Sequence, residues 1–309
     1  MPIVPTTVPM TSALCRETIR RLVEAYPQMR TETLTTTAFG RPVEALTIGR
    51  GERKVFYSAS HHANEWITTP VILKFMEELA EAERTGGRLY GVPAENILNA
   101  ATIYTVPMVN PDGVDLVTGA IGVGTLQYEA ALRLSDNYPG IPFPNGWKAN
   151  LLGTDLNLQY PAGWRMAREI KFSQGFTKPG PRDYVGRAPL NQRESIALAE
   201  FTEKIDPDLV LAYHTQGQVI YWQFRDYVVP GAQKLGEEFA RLSGYELAET
   251  PYTSSFAGYK DWFIQDYRRP GYTIEVGLGE NPLPLSQFDE IYRDNLGILV
   301  TAALGLAAG

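Results

Sequence analysis

The 309-residue chain is 44% apolar and 20% charged, the proportions of a soluble globular protein with a substantial core. A net charge of −7 argues against nucleic acid or an anionic membrane as partner, since both need a basic face. The single cysteine, Cys15, excludes an intrachain disulfide and a cysteine metal cluster.

In chain order the apolar pattern predicts a helix over residues 12–25, strands over 43–48 and 54–58, and a helix over 70–84. A strand over 102–107 and a helix over 192–204 follow, then strands over 209–213 and 219–222. A helix over 231–242, a strand over 272–276 and a helix over 286–306 complete the pattern. Alternating strands and helices without repeat or linker read as one α/β domain, 1–309, with a mixed, mostly parallel sheet. Segments 114–159 and 163–189 read as irregular, but Tyr138, Phe143, Trp147, Tyr160 and Trp164 mark them as packed loops. The amino terminus shows no secretory leader and no apolar run is long enough to span a bilayer, so the expected location is cytoplasmic.

The helix over 70–84 has a start signal, with Thr69 able to cap it and Pro70 suited to its first position. Val71, Ile72, Phe75, Met76 and Leu79 form its core stripe. Just before it, after a strand, stands Ser60-His61-His62-Ala63-Asn64-Glu65. Ligands gather at the carboxyl ends of strands in open α/β sheets, so the placement favours a site. A histidine and a carboxylate three apart can reach one cation if the backbone turns between them. The remaining histidine, His214, ends another strand and is the candidate third ligand; a buried structural histidine is the competing reading. Glu275 interrupts an apolar strand, which suits either a general base or a structural salt bridge. Gly277 and Gly279 after it suggest backbone that must stay clear of something. Lys148 can be a solvated loop lysine or an oxyanion's cation, and Asp155 and Asn157 can be simple turn formers.

In sequence order His62-Ala63-Asn64-Glu65-Trp66, Asn110-Pro111-Asp112-Gly113, Gly153-Thr154-Asp155-Leu156-Asn157, His214 and the Glu275 strand resemble the zinc carboxypeptidase family over residues 40 to 300. The resemblance implies that family's fold, with about eight strands flanked by helices, and one Zn2+ per chain. It implies His62, Glu65 and His214 as ligands, Glu275 as base and Asp155 as the carboxylate orienting His62. Lys148 falls where the family has a carbonyl-polarising arginine, keeping the charge but not the fork. Asn157 matches a substrate-binding asparagine, whereas His61 lacks a spacing partner and reads as a neighbour.

Two departures narrow the substrate. Leu158 stands where the digestive enzymes clamp a terminal carboxylate with arginine, and Ile264 where they are expected to place a tyrosine. Trp147-Lys148-Ala149-Asn150, Gly258-Tyr259-Lys260-Asp261-Trp262-Phe263-Ile264 and Gly279-Glu280-Asn281-Pro282-Leu283-Pro284 resemble the bacterial γ-D-glutamyl-L-diamino acid endopeptidases. That branch implies cleavage of the γ-D-glutamyl bond to meso-diaminopimelate in murein peptides. With no room for a LysM module, soluble fragments suit this chain better than anchored wall. Gln216 and Gln218 are candidate substrate-binding residues, Gln218 replacing an expected acid. A conventional metallocarboxypeptidase and a non-catalytic peptide-binding relative remain the alternatives, and the oligomeric state is open.

Overall fold

The computed structural model describes residues 2–306. Its first half runs α1 (Ser12–Ala25), β1 (Arg30–Thr36), β2 (Pro42–Gly49), β3 (Arg53–Ala59), α2 (Thr68–Arg84), the short hairpin β4 (Arg88–Leu89) and β5 (Val92–Pro93), α3 (Ala94–Ala100), β6 (Ala101–Val106), α4 (Pro111–Val117) and α5 (Leu126–Ser135). Its second half runs α6 (Trp164–Ser173), α7 (Arg193–Ile205), β7 (Leu209–Thr215), β8 (Val219–Tyr221), α8 (Ala232–Ser243), β9 (Glu246–Ala248), α9 (Tyr259–Tyr267), β10 (Gly271–Val276) and α10 (Phe288–Leu304).

Eight strands form one sheet in the order β1-β2-β6-β3-β7-β10-β8-β9. The central strands β6, β3, β7 and β10 run parallel, β9 runs parallel to β8, and antiparallel pairings lie towards the edges. Successive side chains on a strand face opposite ways, and this period sorts the core. Val55, Tyr57, Leu209, Leu211, Tyr213, Tyr272 and Ile274 pack with apolar residues of α1, α2, α8 and α10. Phe56, Val210 and Ala212 pack on the other side with Leu198, Phe201, Trp262 and Phe263 of α7 and α9. Each large side chain so buried contributes about 1.5–3 kcal/mol. By the same period His214 and Glu275 face the α7/α9 side.

The predicted stripe on α2 is fully buried, but its start differs from expectation. The helix begins at Thr68, and Thr69 is not its cap. The Thr69 hydroxyl instead donates to the Pro107 carbonyl at 2.5 Å, and Thr68 donates to the Glu65 carbonyl at 2.7 Å while accepting from Ser60 N at 3.1 Å. Both threonines therefore tie the 60–65 loop to the helix and to the end of β6. Of the two glycines after Glu275, only Gly277 is crowded: at φ +69°, a Cβ there would lie 2.5 Å from Leu283 Cδ1. Gly279 adopts φ +109° in open space.

The segments expected to be irregular contain the second half of α4 and the whole of α5 and α6. Among the residues of α5 only Ala131 and Ser135 are buried, so that helix carries no readable apolar stripe, whereas α6 buries Ala167 and Lys171 and packs Trp164, Ile170 and Phe172 against the core. Their aromatics do pack: Trp147 and Tyr160 are fully buried, and Trp147 meets Phe143 edge-on at 5.8 Å. No helix among the described residues is long and apolar enough to cross a membrane.

Candidate metal centre and substrate cavity

The site forms at the carboxyl ends of β3, β7 and β10. After β3 the chain turns through Ser60, at φ +51°, into a single 3-10 turn over Ala63–Glu65, which brings His62 and Glu65 to one side. Asn110 fixes this loop from behind. Its Nδ2 donates to the carbonyls of His61 (3.2 Å), Lys148 (3.3 Å) and Ala149 (3.0 Å), while its Oδ1 accepts from Gly113 N at 3.1 Å. The Asn-Pro-Asp-Gly motif thus buckles the histidine loop to the lysine loop. Gly113 has no alternative here, since a Cβ would lie 2.6 Å from the Ala149 carbonyl oxygen.

One donor atom each from His62, Glu65 and His214 lies within 4.8 Å of the others. Glu65 bridges the pair, with Oε1 2.9 Å from His62 Nδ1 and Oε2 2.8 Å from His214 Nδ1. The two Nδ1 atoms face each other at 3.3 Å, converging on the same carboxylate. Two imidazole nitrogens and one carboxylate are a set of zinc ligands used in hydrolytic sites. His62 Nε2 lies 3.1 Å from Asp155 Oδ1, a second contact of the kind that fixes a ligand ring's orientation. Asp155 is held in turn by the backbone N–H groups of Asn157 (3.1 Å) and Asp183 (3.2 Å). His61 is fully buried, stacks on His214 at 5.5 Å, and stands outside the donor set.

The electrostatics favour a cation. Burial opposes the charge on Glu65, but His62, Lys148 and His214 outweigh it and hold the carboxyl well below its usual range. Asp155 is lowered the same way, burial being outweighed chiefly by His62. On His62, burial is overcome by these two carboxylates, which push the imidazole up to about 9. The two carboxylates that raise His62's affinity for a proton equally favour a metal ion at the same atoms. Lys148 Nζ donates to Glu65 Oε1 at 2.8 Å, so it is not a free loop lysine.

Glu275 has no ion pair within 4.0 Å among the described residues, which leaves the structural salt-bridge reading without support. It is half-buried and lines an open cavity of about 250 Å³ together with His62, Lys148, Asp155, Asn157 and Leu158. Burial, then the Glu65 charge, push its carboxyl up to about 8.

Asn157 sits on the cavity wall with Oδ1 accepting from Tyr259 N at 3.0 Å. The structure does not bring Gln216 and Gln218 to this cavity. Gln216 is exposed, and Gln218 turns through φ +51° so that its carbonyl accepts from Glu246 N at the far edge of the sheet. Ile264 is buried in the α7/α9 core, so the residue type at that position does not shape the cavity. Sequence reasoning missed Lys171, which lines the cavity from α6, and Arg182 and Asp183, which line it from a loop with no readable periodicity.

A mixed α/β sheet with a two-histidine, one-carboxylate donor set at the ends of its parallel strands defines a metallohydrolase. The zinc carboxypeptidase family matches residues 15–297, and the chain belongs to that family. It is a zinc metallopeptidase, and peptides are its substrates. It is 43% identical over 282 residues to gamma-D-glutamyl-L-diamino acid endopeptidase 1 of Lysinibacillus sphaericus, covering 91% of this chain and 69% of that protein. It is 38% identical over 284 residues to the Bacillus subtilis protein YqgT, covering 91% of this chain and 73% of that one. The fold matches thrombin-activatable fibrinolysis inhibitor at a TM-score of 0.74 and 16% identity, over 98% of this chain and 76% of that one. It also matches murein-tripeptide amidase MpaA of Escherichia coli O157 at a TM-score of 0.54 and 18% identity, over 87% and 91%.

Proposed function

We propose that this zinc peptidase hydrolyses the γ-D-glutamyl bond to meso-diaminopimelate in murein-derived peptides. The observation that carries this reading is the 43% identity, over 91% of the chain, to a γ-D-glutamyl-L-diamino acid endopeptidase. Leu158 agrees with it, since an apolar wall at that point cannot clamp the terminal carboxylate of an ordinary peptide.

In this reading His62, Glu65 and His214 hold the zinc, with Asp155 orienting His62. Bound zinc acidifies water and polarises a carbonyl. Glu275 takes a proton from the attacking water and delivers it to the diaminopimelate nitrogen as the C–N bond breaks. Lys148 donates to Glu65 Oε1; with Glu65 engaged as a zinc ligand, the ammonium would be available for the scissile carbonyl's developing negative charge. Asn157 offers its amide to a polar group of the substrate. The competing reading is a carboxypeptidase acting on ordinary α-linked peptides. Incubation with L-Ala-γ-D-Glu-meso-diaminopimelate beside a hippuryl-type peptide separates them. Release of free diaminopimelate supports the proposal, and cleavage of the hippuryl peptide alone refutes it.

A further inference from the structure

We infer that Arg182 recognises the free α-carboxylate of the γ-linked D-glutamyl residue and so sets the enzyme's preference on the acyl side of the scissile bond. This inference rests on the substrate reading above and adds a residue to it.

Four basic side chains besides His62 line the cavity: Lys148, Lys171, Arg182 and Lys260. Three are committed. Lys148 binds Glu65 at 2.8 Å and is already assigned to the scissile oxygen, and Lys171 binds Asp183 at 2.5 Å. Lys260 binds Asp261 at 2.6 Å and the Gln223 carbonyl at 2.7 Å, and is almost wholly buried. Arg182 differs. Only its Nε is used, donating to Asp183 Oδ2 at 2.6 Å, and both Nη groups lack a protein partner among the described residues. Its side chain is 41% exposed, the most accessible of the four. A guanidinium with two free nitrogens presents the planar fork that fits a carboxylate.

The position of Arg182 is fixed from both sides. The Pro181 carbonyl accepts from Lys148 N (2.7 Å) and Ala149 N (2.9 Å), while Asp183 N donates to Asp155 Oδ2 (3.2 Å). Asp155 N in turn donates to the Tyr184 carbonyl at 2.9 Å. Asp183 adopts φ +64°, a conformation uncommon outside glycine, and its side chain is pinned by Lys171 as well as Arg182. Arg182 is therefore mounted between the loop of Lys148 and the carboxylate that orients His62.

A γ-linked D-glutamyl residue keeps its α-carboxylate, carried on a Cα two methylenes from the scissile carbonyl. An α-linked peptide has no free main-chain carboxylate on that residue. With Lys148 at the scissile oxygen, the neighbouring Arg182 is the cation placed to meet this group. Leu158, on the same cavity wall, cannot do so.

The test compares L-Ala-γ-D-Glu-meso-diaminopimelate with its α-amide, which carries D-isoglutamine. Wild type should favour the carboxylate peptide by roughly ten- to a hundredfold in kcat/KM. Arg182→Gln should bring the ratio near one by losing rate only on the carboxylate peptide, mainly through KM. Arg182→Lys, which keeps the charge and loses the fork, should lie between and serves if Arg182→Gln does not fold. Zinc content and melting temperature should match wild type. Equal losses on both peptides, or a wild type indifferent to amidation, would overturn the assignment alone. A wild type that cuts neither peptide would overturn the substrate reading and this assignment with it.

Discussion

Glu275 and His214 are in-register partners on the adjacent parallel strands β10 and β7. On its other flank Glu275 pairs with Val219 of β8, which brings no opposing charge. The sheet itself therefore sets a carboxylate beside the third histidine and leaves it without an ion-pair partner among the described residues. A carboxylate so placed is positioned for proton transfer.

Replacing Glu275 with Gln should separate metal binding from chemistry. The variant should keep about one zinc per chain by elemental analysis, because Glu275 is outside the donor set. Its kcat should fall by about 10²–10⁴. Normal turnover would remove Glu275 from its role.

The same residue has a stability signature in metal-stripped protein. Its folded pKa is raised from 4.5 to about 8, so the folded state binds more protons than the unfolded state between those values. Stability from this group is full below about pH 4.5, declines as pH rises and is lost above about 8. Stripped Glu275→Gln should therefore melt above stripped wild type at pH 8, and the gap should close towards pH 5. Parallel melting curves across that range would contradict the burial argument.

Lys148 is expected to act on the developing oxyanion rather than to hold the fold. Lys148→Met should cost about 10²–10³ in kcat, and Lys148→Arg should restore a part of it. Circular dichroism and zinc content should stay near wild type in both.

Asn110 is a structural clamp, and its loss should reach the metal through the loops. Asn110→Ala removes the donor to three carbonyls and the acceptor for Gly113 N, at a cost of about 1–3 kcal/mol for groups left unsatisfied. Calorimetry should show a lower Tm, and chelator competition should show faster zinc loss. A chelation rate equal to wild type would mean that the clamp does not position His62.

The donor set was legible mainly through the family resemblance, supported by the scarcity of histidine and the placement of His62 and His214 after or at strand ends. The turn through Ser60 and the 3-10 turn over Ala63–Glu65, together with the sheet order, bring His62, Glu65 and His214 together. The fold's centre was legible because strands buried on both faces are written as continuous apolar runs. β1 was not, because it is an exposed, threonine-rich edge strand. Nor was α5, whose surface position leaves no stripe. Beyond the strands, the pattern carries no information about direction. Gln216 and Gln218 follow His214 closely, yet the turn after β7 carries them away from the cavity. Arg182 reaches the cavity from a loop whose shape depends on the φ of Asp183 and on hydrogen bonds to Lys148 and Asp155, none of which has a sequence period.

The central claim is hydrolysis at the γ-carbonyl of a D-glutamyl residue. Its most direct test is to cleave L-Ala-γ-D-Glu-meso-diaminopimelate with the zinc-loaded enzyme in 18O-water and analyse the products by mass spectrometry. The account predicts free, unlabelled diaminopimelate and L-Ala-D-Glu carrying one 18O in its γ-carboxylate. Tripeptide left intact by an enzyme that cuts a hippuryl peptide, or label in any other product, would contradict it.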